Sequence, residues 1–321
     1  MNLSFHATAL LLLGTSPAWA EVPNVLADTA PVHSLVSMVM GDLGEPALIV
    51  PQGTSPHDAS LSPSEAQALT EADLIVWTGD AFLPWLGETI ASLAPEAQVV
   101  ALLDSSGWEP LSVREGAHLA EAEGHEHGHD HEDDHGPEEG HGHDHAEGGI
   151  DPHAWLDPAV AAAWLATIAD ALAARNPENA EAYRANATAA AERLGALQAD
   201  LEARFSPLTG TGYAVGHDAY QYLERAAGLP ASWTVAPPDG TSPAPRDVAG
   251  LRDAVLSGGV ECLLLDAETD AAWAATLGEG AELRTAEVDP DGVFLEPGPE
   301  LYPQLMETLA SALESCLGAP Q

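Results

Sequence analysis

Histidine and carboxylate crowd one stretch of the chain, from His118 to Asp157. GHEHGHDHEDDHGPEEGHGHDH fills residues 124–145, and nine of the fourteen histidines lie between His118 and His145. Imidazoles and carboxylates in that number cannot be buried without partners, so the tract is expected to be solvated. Its chemistry is cation binding, because imidazole suits zinc, copper and nickel while the interleaved Asp and Glu add oxygen ligands and charge. His125, His127, His129, His131, His135, His141, His143 and His145 are its candidate ligands. Such a tract either concentrates metal for a tighter site, reports metal status by ordering when loaded, or is a solvated acidic loop whose metal binding is incidental.

Outside the tract and the first twenty residues, four histidines remain: His33, His57, His153 and His217. The last three share a setting, in Ser55-Pro56-His57-Asp58, Asp151-Pro152-His153-Ala154-Trp155-Leu156-Asp157-Pro158 and Gly216-His217-Asp218. Each stands beside aspartate or proline where a strand meets a loop or a loop meets a helix. In open α/β sheets such junctions, at the carboxyl ends of strands, hold ligands. Three neutral imidazoles with a carboxylate or a water make a zinc sphere. Asp58 and Asp218, next in sequence, are placed to orient the rings. Three histidines with an open position also serve zinc hydrolases and lyases, but no separate base lies beside these motifs as Glu does within HExxH.

The elements that must position these residues alternate. Strands are expected at Val22–Thr29, Gly44–Val50, Asp73–Trp77 and Gln98–Leu103, with helices at Val32–Met40, after Ser62 and at Pro84–Ala94. Ser62 reads as an N-cap, with Pro63 at the first helical position and Glu65 closing a capping box. Residues 115–149 then break the pattern as a disordered insertion with almost no apolar periodicity. A helix runs from Pro158 through Ala174, and a second from Glu178 to Phe205 is long enough, at about 42 Å, to join two lobes. Strands at Tyr213–Val215, Ser232–Val235, Val260–Leu265 and Glu282–Val288 follow, with helices at Ala219–Ala227, Pro245–Leu256, Asp270–Leu277 and Glu300–Leu317. The reading is an α/β chain of two lobes, each a mostly parallel sheet flanked by helices, bridged by a long helix. The divisions fall at 1–20 (leader), 21–156 (N-terminal lobe with the insertion), 157–205 (helical segment) and 206–321 (C-terminal lobe). The second half repeats the grammar of the first without a visible sequence repeat.

Composition narrows the partners. Fifty-one acidic residues against nine basic ones, all arginine, leave a formal charge of −42. That surface repels nucleic acid and anionic lipid and attracts cations; an acidic host proteome would produce the same balance. The first twenty residues read as a cleavable signal peptide, with Ala9–Gly14 as apolar core and Ala18-Trp19-Ala20 before the cut, although its start lacks Lys and Arg. No later run approaches the roughly 20 apolar residues of a spanning helix, so the mature chain is expected outside the inner membrane, in the periplasm of a Gram-negative cell. Cys262 and Cys316, an even pair in an exported chain, read as one disulfide or as two buried thiols.

Taken in order, Ser55-Pro56-His57-Asp58 with Leu61-Ser62-Pro63-Ser64, then Asp151–Pro158, then Gly216-His217-Asp218-Ala219-Tyr220 resemble the metal-binding receptors of ABC importers, in particular their ZnuA-like zinc branch. The resemblance spans nearly the whole mature chain, and the eight residues DPHAWLDP are its most specific part. An acidic histidine-rich insertion and a cysteine pair in the C-terminal lobe are further likenesses. It implies that His57, His153 and His217 ligate Zn²⁺, with Asp289 of Glu287-Val288-Asp289-Pro290, or a water, in the fourth position. His33 would be structural. Some zinc receptors carry Glu before the first histidine, where this chain has Pro56. Manganese receptors place a carboxylate where His217 stands, and a third imidazole shifts preference towards zinc. The function implied is that of a monomeric periplasmic receptor, not an enzyme, delivering Zn²⁺ to an inner-membrane permease driven by a cytoplasmic ATPase. A periplasmic zinc chaperone or buffer is the alternative.

Overall fold

Short, fully apolar runs such as Leu74-Ile75-Val76-Trp77, buried along their whole length, need cover on both faces, and parallel sheets with helices on either side supply it. The computed structural model describes residues 22–114, 149–236, 243–267 and 269–318. The expected leader and the histidine tract, including all eight of its candidate ligands, lie outside the described residues, as does the side chain of Asp58.

In chain order the N-terminal lobe comprises β1 (Val25–Ala27), α1 (Ala30–Met40), β2 (Ala47–Leu48), α2 (Pro63–Thr70), β3 (Leu74–Trp77), α3 (Pro84–Leu93) and β4 (Gln98–Ala101). Helices α4 (Pro158–Arg175) and α5 (Ala180–Phe205) follow. The C-terminal lobe comprises β5 (Tyr213–His217), α6 (Gln221–Ala227), β6 (Trp233–Ala236), α7 (Pro245–Leu256), β7 (Cys262–Leu265), α8 (Ala272–Gly278), β8 (Arg284–Glu287) and α9 (Leu301–Leu317). Both sheets have four strands paired in parallel, ordered β2-β1-β3-β4 and β6-β5-β7-β8, so the two lobes share one topology.

Local chemistry accounts for several boundaries. At α2 the Ser62 hydroxyl accepts the Glu65 N–H while the Glu65 carboxylate accepts the Ser62 N–H at 2.6 Å, completing the expected capping box. Strand β1 is shorter than Val22–Thr29 because only Val25 to Ala27 find partners on β3. Strand β5 is longer than Tyr213–Val215 because pairing continues to His217, opposite Ala236.

The bridging helix α5 has 26 residues, about 39 Å of length at 1.5 Å per residue. Asn186 Nδ2 on it donates to Val39 O of α1 at 3.0 Å, and Arg193 and Arg204 pair with Glu300 and with Glu307 and Glu314 towards α9. One continuous apolar core runs through both lobes, from Leu35 and Val36 of α1 through Trp164 and Leu165 of α4 and Leu194 and Leu201 of α5 to Met306 and Leu309 of α9. Lobes that share a core cannot swing apart freely, because opening them would expose it. Cys262 of β7 and Cys316 of α9 form a disulfide with Cα atoms 5.6 Å apart, which resolves the two sequence readings in favour of the bridge. Closing a loop across 54 residues contributes about 4 kcal/mol in the chain-entropy account. Among the described residues no helix is long and apolar enough to cross a membrane.

Candidate metal centre

Three histidines reach one point from three separate segments. His57 sits in a single 3₁₀ turn, Pro56–Asp58, after β2, where the Ser55 hydroxyl accepts the His57 N–H at 3.2 Å. His153 caps a second 3₁₀ turn, Ala154–Leu156, which leads into α4. His217 is the last residue of the inner strand β5, at its carboxyl end. Each ring offers one nitrogen, and these three atoms lie within 4.8 Å of one another; no other such group of His, Cys, Asp or Glu is found among the described residues. Ring centroids are 6.2 Å (His57–His153), 6.0 Å (His57–His217) and 5.5 Å (His153–His217) apart. Nitrogens on a tetrahedral zinc stand about 3.3 Å apart, from Zn–N bonds near 2.0–2.1 Å. The trio therefore needs at most a small inward shift.

Buried carboxylates decide which nitrogen each ring presents. His153 Nδ1 lies 2.9 Å from Asp151 Oδ1, and His217 Nδ1 lies 2.8 Å from Asp266 Oδ2. An ionised carboxylate only accepts, so both Nδ1 atoms carry the proton and both Nε2 atoms keep a lone pair for a metal. The Nε2 of His153 is buried and has no hydrogen-bond partner among the described residues. A buried polar atom without a partner costs about 1–3 kcal/mol, and a bound cation would remove that cost.

The carboxylates are fixed in their turn. Asp151 Oδ1 also accepts the His153 N–H at 3.0 Å, and Asp266 Oδ1 accepts from Thr269 Oγ1 at 2.6 Å. Asp266 follows β7, the neighbour of β5, so the His217–Asp266 pair spans the point where the connections leaving the sheet diverge. A side chain on Gly216 would overlap the Thr269 hydroxyl, so glycine is required there for Asp266 to be held. Apolar rings pack the other faces. Phe82 meets His57 at 5.1 Å and His153 at 5.6 Å, both edge-on, and Trp155, whose Nε1 donates to Pro290 O at 2.9 Å, lies 5.4 Å from His153. His57 is half-buried, whereas His153 and His217 are buried. Solvent therefore approaches from the His57 side, where a recess of about 320 Å³ opens between Pro56, Phe82 and Trp85.

The sequence expectations map onto this geometry unevenly. His57, His153 and His217 come together. Asp289 does not join them: its two oxygens accept the N–H groups of Val293 and Phe294, each at 3.1 Å. Burial first, and then the carboxylates of Asp266, Asp291 and Asp289, push the phenol of Tyr220 well above its ordinary range. The Tyr220 ring lies 6.4 Å from that of His217 and stays neutral. Asp218 does not orient His217, as its position had suggested; it pairs with the buried guanidinium of Arg114, and Asp266 takes the expected role. His33 is engaged within the N-terminal lobe, its Nε2 donating to Pro46 O at 3.0 Å, and burial pulls its pKa down.

Comparison with known proteins agrees with the fold. The family model described as "ZnuA: Zinc-uptake complex component A periplasmic" matches residues 25–316. The high-affinity zinc uptake system protein ZnuA of Paracoccus denitrificans (strain Pd 1222) is 40% identical over 313 residues, covering 96% of each chain. Its namesake in Brucella abortus (strain 2308) is 37% identical, covering 98% of this chain and 97% of that one. Among solved structures, a zinc-bound ZnuA carrying a deletion of residues 138–173 superposes with a TM-score of 0.73 at 19% identity, covering 94% of this chain and all of that one. FpvC from Pseudomonas aeruginosa in complex with Mn²⁺ superposes with a TM-score of 0.71 at 23% identity over 92% of this chain and 99% of that one. The fold alone thus does not choose the metal, and the donor set must. By its matched length and by these relatives, the chain belongs to the ZnuA family of periplasmic zinc-uptake components.

Proposed function

We propose that the mature chain is a periplasmic receptor that captures Zn²⁺ and delivers it to an ABC-type permease powered by a cytoplasmic ATPase. The carrying observation is the convergence of three imidazoles from both lobes, two of them with Nδ1 tied to buried carboxylates. His57, His153 and His217 hold the ion, and the fourth position falls to Asp289 or to a water. Three nitrogen donors in a largely buried site suit zinc better than manganese, which favours oxygen. The names of the relatives support the same cargo.

Binding, with no chemical step, is what this site does. Among the described residues, Asp151, Asp266 and Asp289 are each already engaged, with histidines, backbone N–H groups or Thr269, rather than poised as a base towards a bound water. Because the lobes share a core, release runs through local movement of the ligand-bearing loops on docking. The leader ends after Ala20, the receptor works as a monomer, and the histidine tract serves as an accessory, multivalent zinc store. Competitive titration of the intact protein with Zn²⁺ and Mn²⁺ tests the reading. Zinc is expected to displace manganese at one tight site, whereas equal or stronger manganese binding contradicts it.

A further inference from the structure

The two carboxylates that orient the buried ligands are themselves held in different ways. Asp266, the partner of His217, is fixed by Thr269, three residues on in the same lobe. Asp151, the partner of His153, has its second oxygen bonded at 3.0 Å by Gln221 Nε2, and Gln221 opens α6 in the opposite lobe. The same amide nitrogen reaches Ser112 O at 3.0 Å. One side chain therefore touches both limbs that flank the histidine tract, at Ser112 and at Asp151.

Helix α6 is clamped at this place by three further side chains, Tyr222, Arg225 and Arg114. The Tyr222 hydroxyl accepts the Leu111 N–H at 2.8 Å. Arg225 donates to Glu109 O at 3.0 Å and pairs with Asp157 at 2.8 Å. Arg114, its side chain 8% exposed, pairs with Asp218 and, at 2.7 Å, with Glu224. The limbs meet each other through Val113 N–H to Gly149 O at 2.7 Å and Asp151 N–H to Leu111 O at 2.9 Å.

We propose that Gln221 is a positioning residue for the metal centre, through which the C-terminal lobe sets the orientation of a ligand in the N-terminal lobe. Gln221 holds Asp151, Asp151 holds the Nδ1 of His153, and the Nε2 of His153 is thereby aimed at the ion. The inference rests on the three-histidine reading and adds an asymmetry to it. When α6 parts from the 109–114 segment, His153 loses the support behind its carboxylate, while the Thr269–Asp266–His217 chain stays whole. His153 is then the first ligand to let go.

Two substitutions in the full-length chain test this. Gln221→Met keeps the length and the apolar stem but removes the amide donor; Gln221→Glu keeps the shape and sets a carboxylate against Asp151. Four quantities are read: zinc affinity against a chromophoric chelator, the zinc dissociation rate, the ligand-field spectrum of the protein with one equivalent of Co²⁺, and the melting point of the metal-free protein. Partners behind metal-bound histidines typically alter affinity by about 10–100-fold. Gln221→Met is therefore expected to speed zinc loss about tenfold, with a shifted cobalt spectrum and an almost unchanged metal-free melting point, and Gln221→Glu to do more. Wild-type rates and spectra in both variants overturn the proposal, as does a lowered melting point with an unchanged spectrum, which would make Gln221 merely structural. His153→Gln, measured alongside, separates the two levels. If it abolishes tight zinc binding while the Gln221 variants do nothing, only the positioning role fails; if it leaves tight binding intact, the three-histidine reading fails and takes this inference with it.

Discussion

Asp266→Asn isolates what a buried charge behind a ligand contributes. Asparagine can turn its carbonyl towards His217 and its amide towards Thr269 Oγ1, which accepts as readily as it donates, so the 2.8 Å and 2.6 Å contacts survive. Only the negative charge is lost. A hydrogen bond to a charged group contributes about 1.5–3 kcal/mol net, against about 0.5–1.5 for a neutral one. The difference matters most when a metal on Nε2 makes the Nδ1–H more acidic, so it falls mainly on the zinc-bound state. The resulting deficit of about 1–1.5 kcal/mol corresponds to roughly 5–10-fold weaker binding. Chelator competition at neutral pH measures the affinity, and urea unfolding of the metal-free protein monitors the fold. Folded Asp266→Asn protein that binds zinc within about twofold of wild type would refute the idea that Asp266 tunes His217.

Two more outcomes follow from other parts of the molecule. Burial raises the Asp28 carboxyl from 3.8 to about 6, against the opposing bonds from Thr78 and Thr29. The folded state thus holds this proton more tightly than the unfolded chain, and the stability this gives is full below 3.8 and lost as the pH rises through about 6. The loss at neutral pH is about 3 kcal/mol at 1.36 kcal/mol per unit. Urea unfolding across that range should show Asp28→Asn gaining on wild type as the pH rises; a difference independent of pH would contradict it. Deleting residues 118–147 should leave one tight zinc site and remove the weaker ones in calorimetric titration, and disappearance of the tight site would show that the division of labour is wrong.

Much of this architecture was legible because each local signal agreed with the global one. The capping box at Ser62 and the unbroken apolar run of β3 mark their elements without tertiary information. The three histidines stood out because they shared a junction setting and followed one another in a recognisable order. The residues behind them were harder to see. Asp266 lies 49 positions from His217 and meets it only because β7 pairs with β5. Asp218 looked like the natural partner, being adjacent in sequence, but the chain bends there, with the Ala219 N–H bonded to His217 O at 2.9 Å, and Arg114 captures the Asp218 carboxylate instead. Asp151 was open to detection: it stands two residues before His153, and an aspartate can accept the N–H two positions on, as this one does. Gln221 carried no signal at all, because its contact with Asp151 exists only when the two lobes are assembled.

The central claim is that one zinc ion sits on His57, His153 and His217. Zinc K-edge absorption of the intact chain loaded with one equivalent tests it most directly. Three imidazole nitrogens at about 2.0–2.1 Å and one oxygen at about 2.0–2.2 Å are expected, falling to two imidazoles or to lost binding in His153→Gln. A first shell dominated by oxygen, or one that His153→Gln leaves unchanged, would contradict the account.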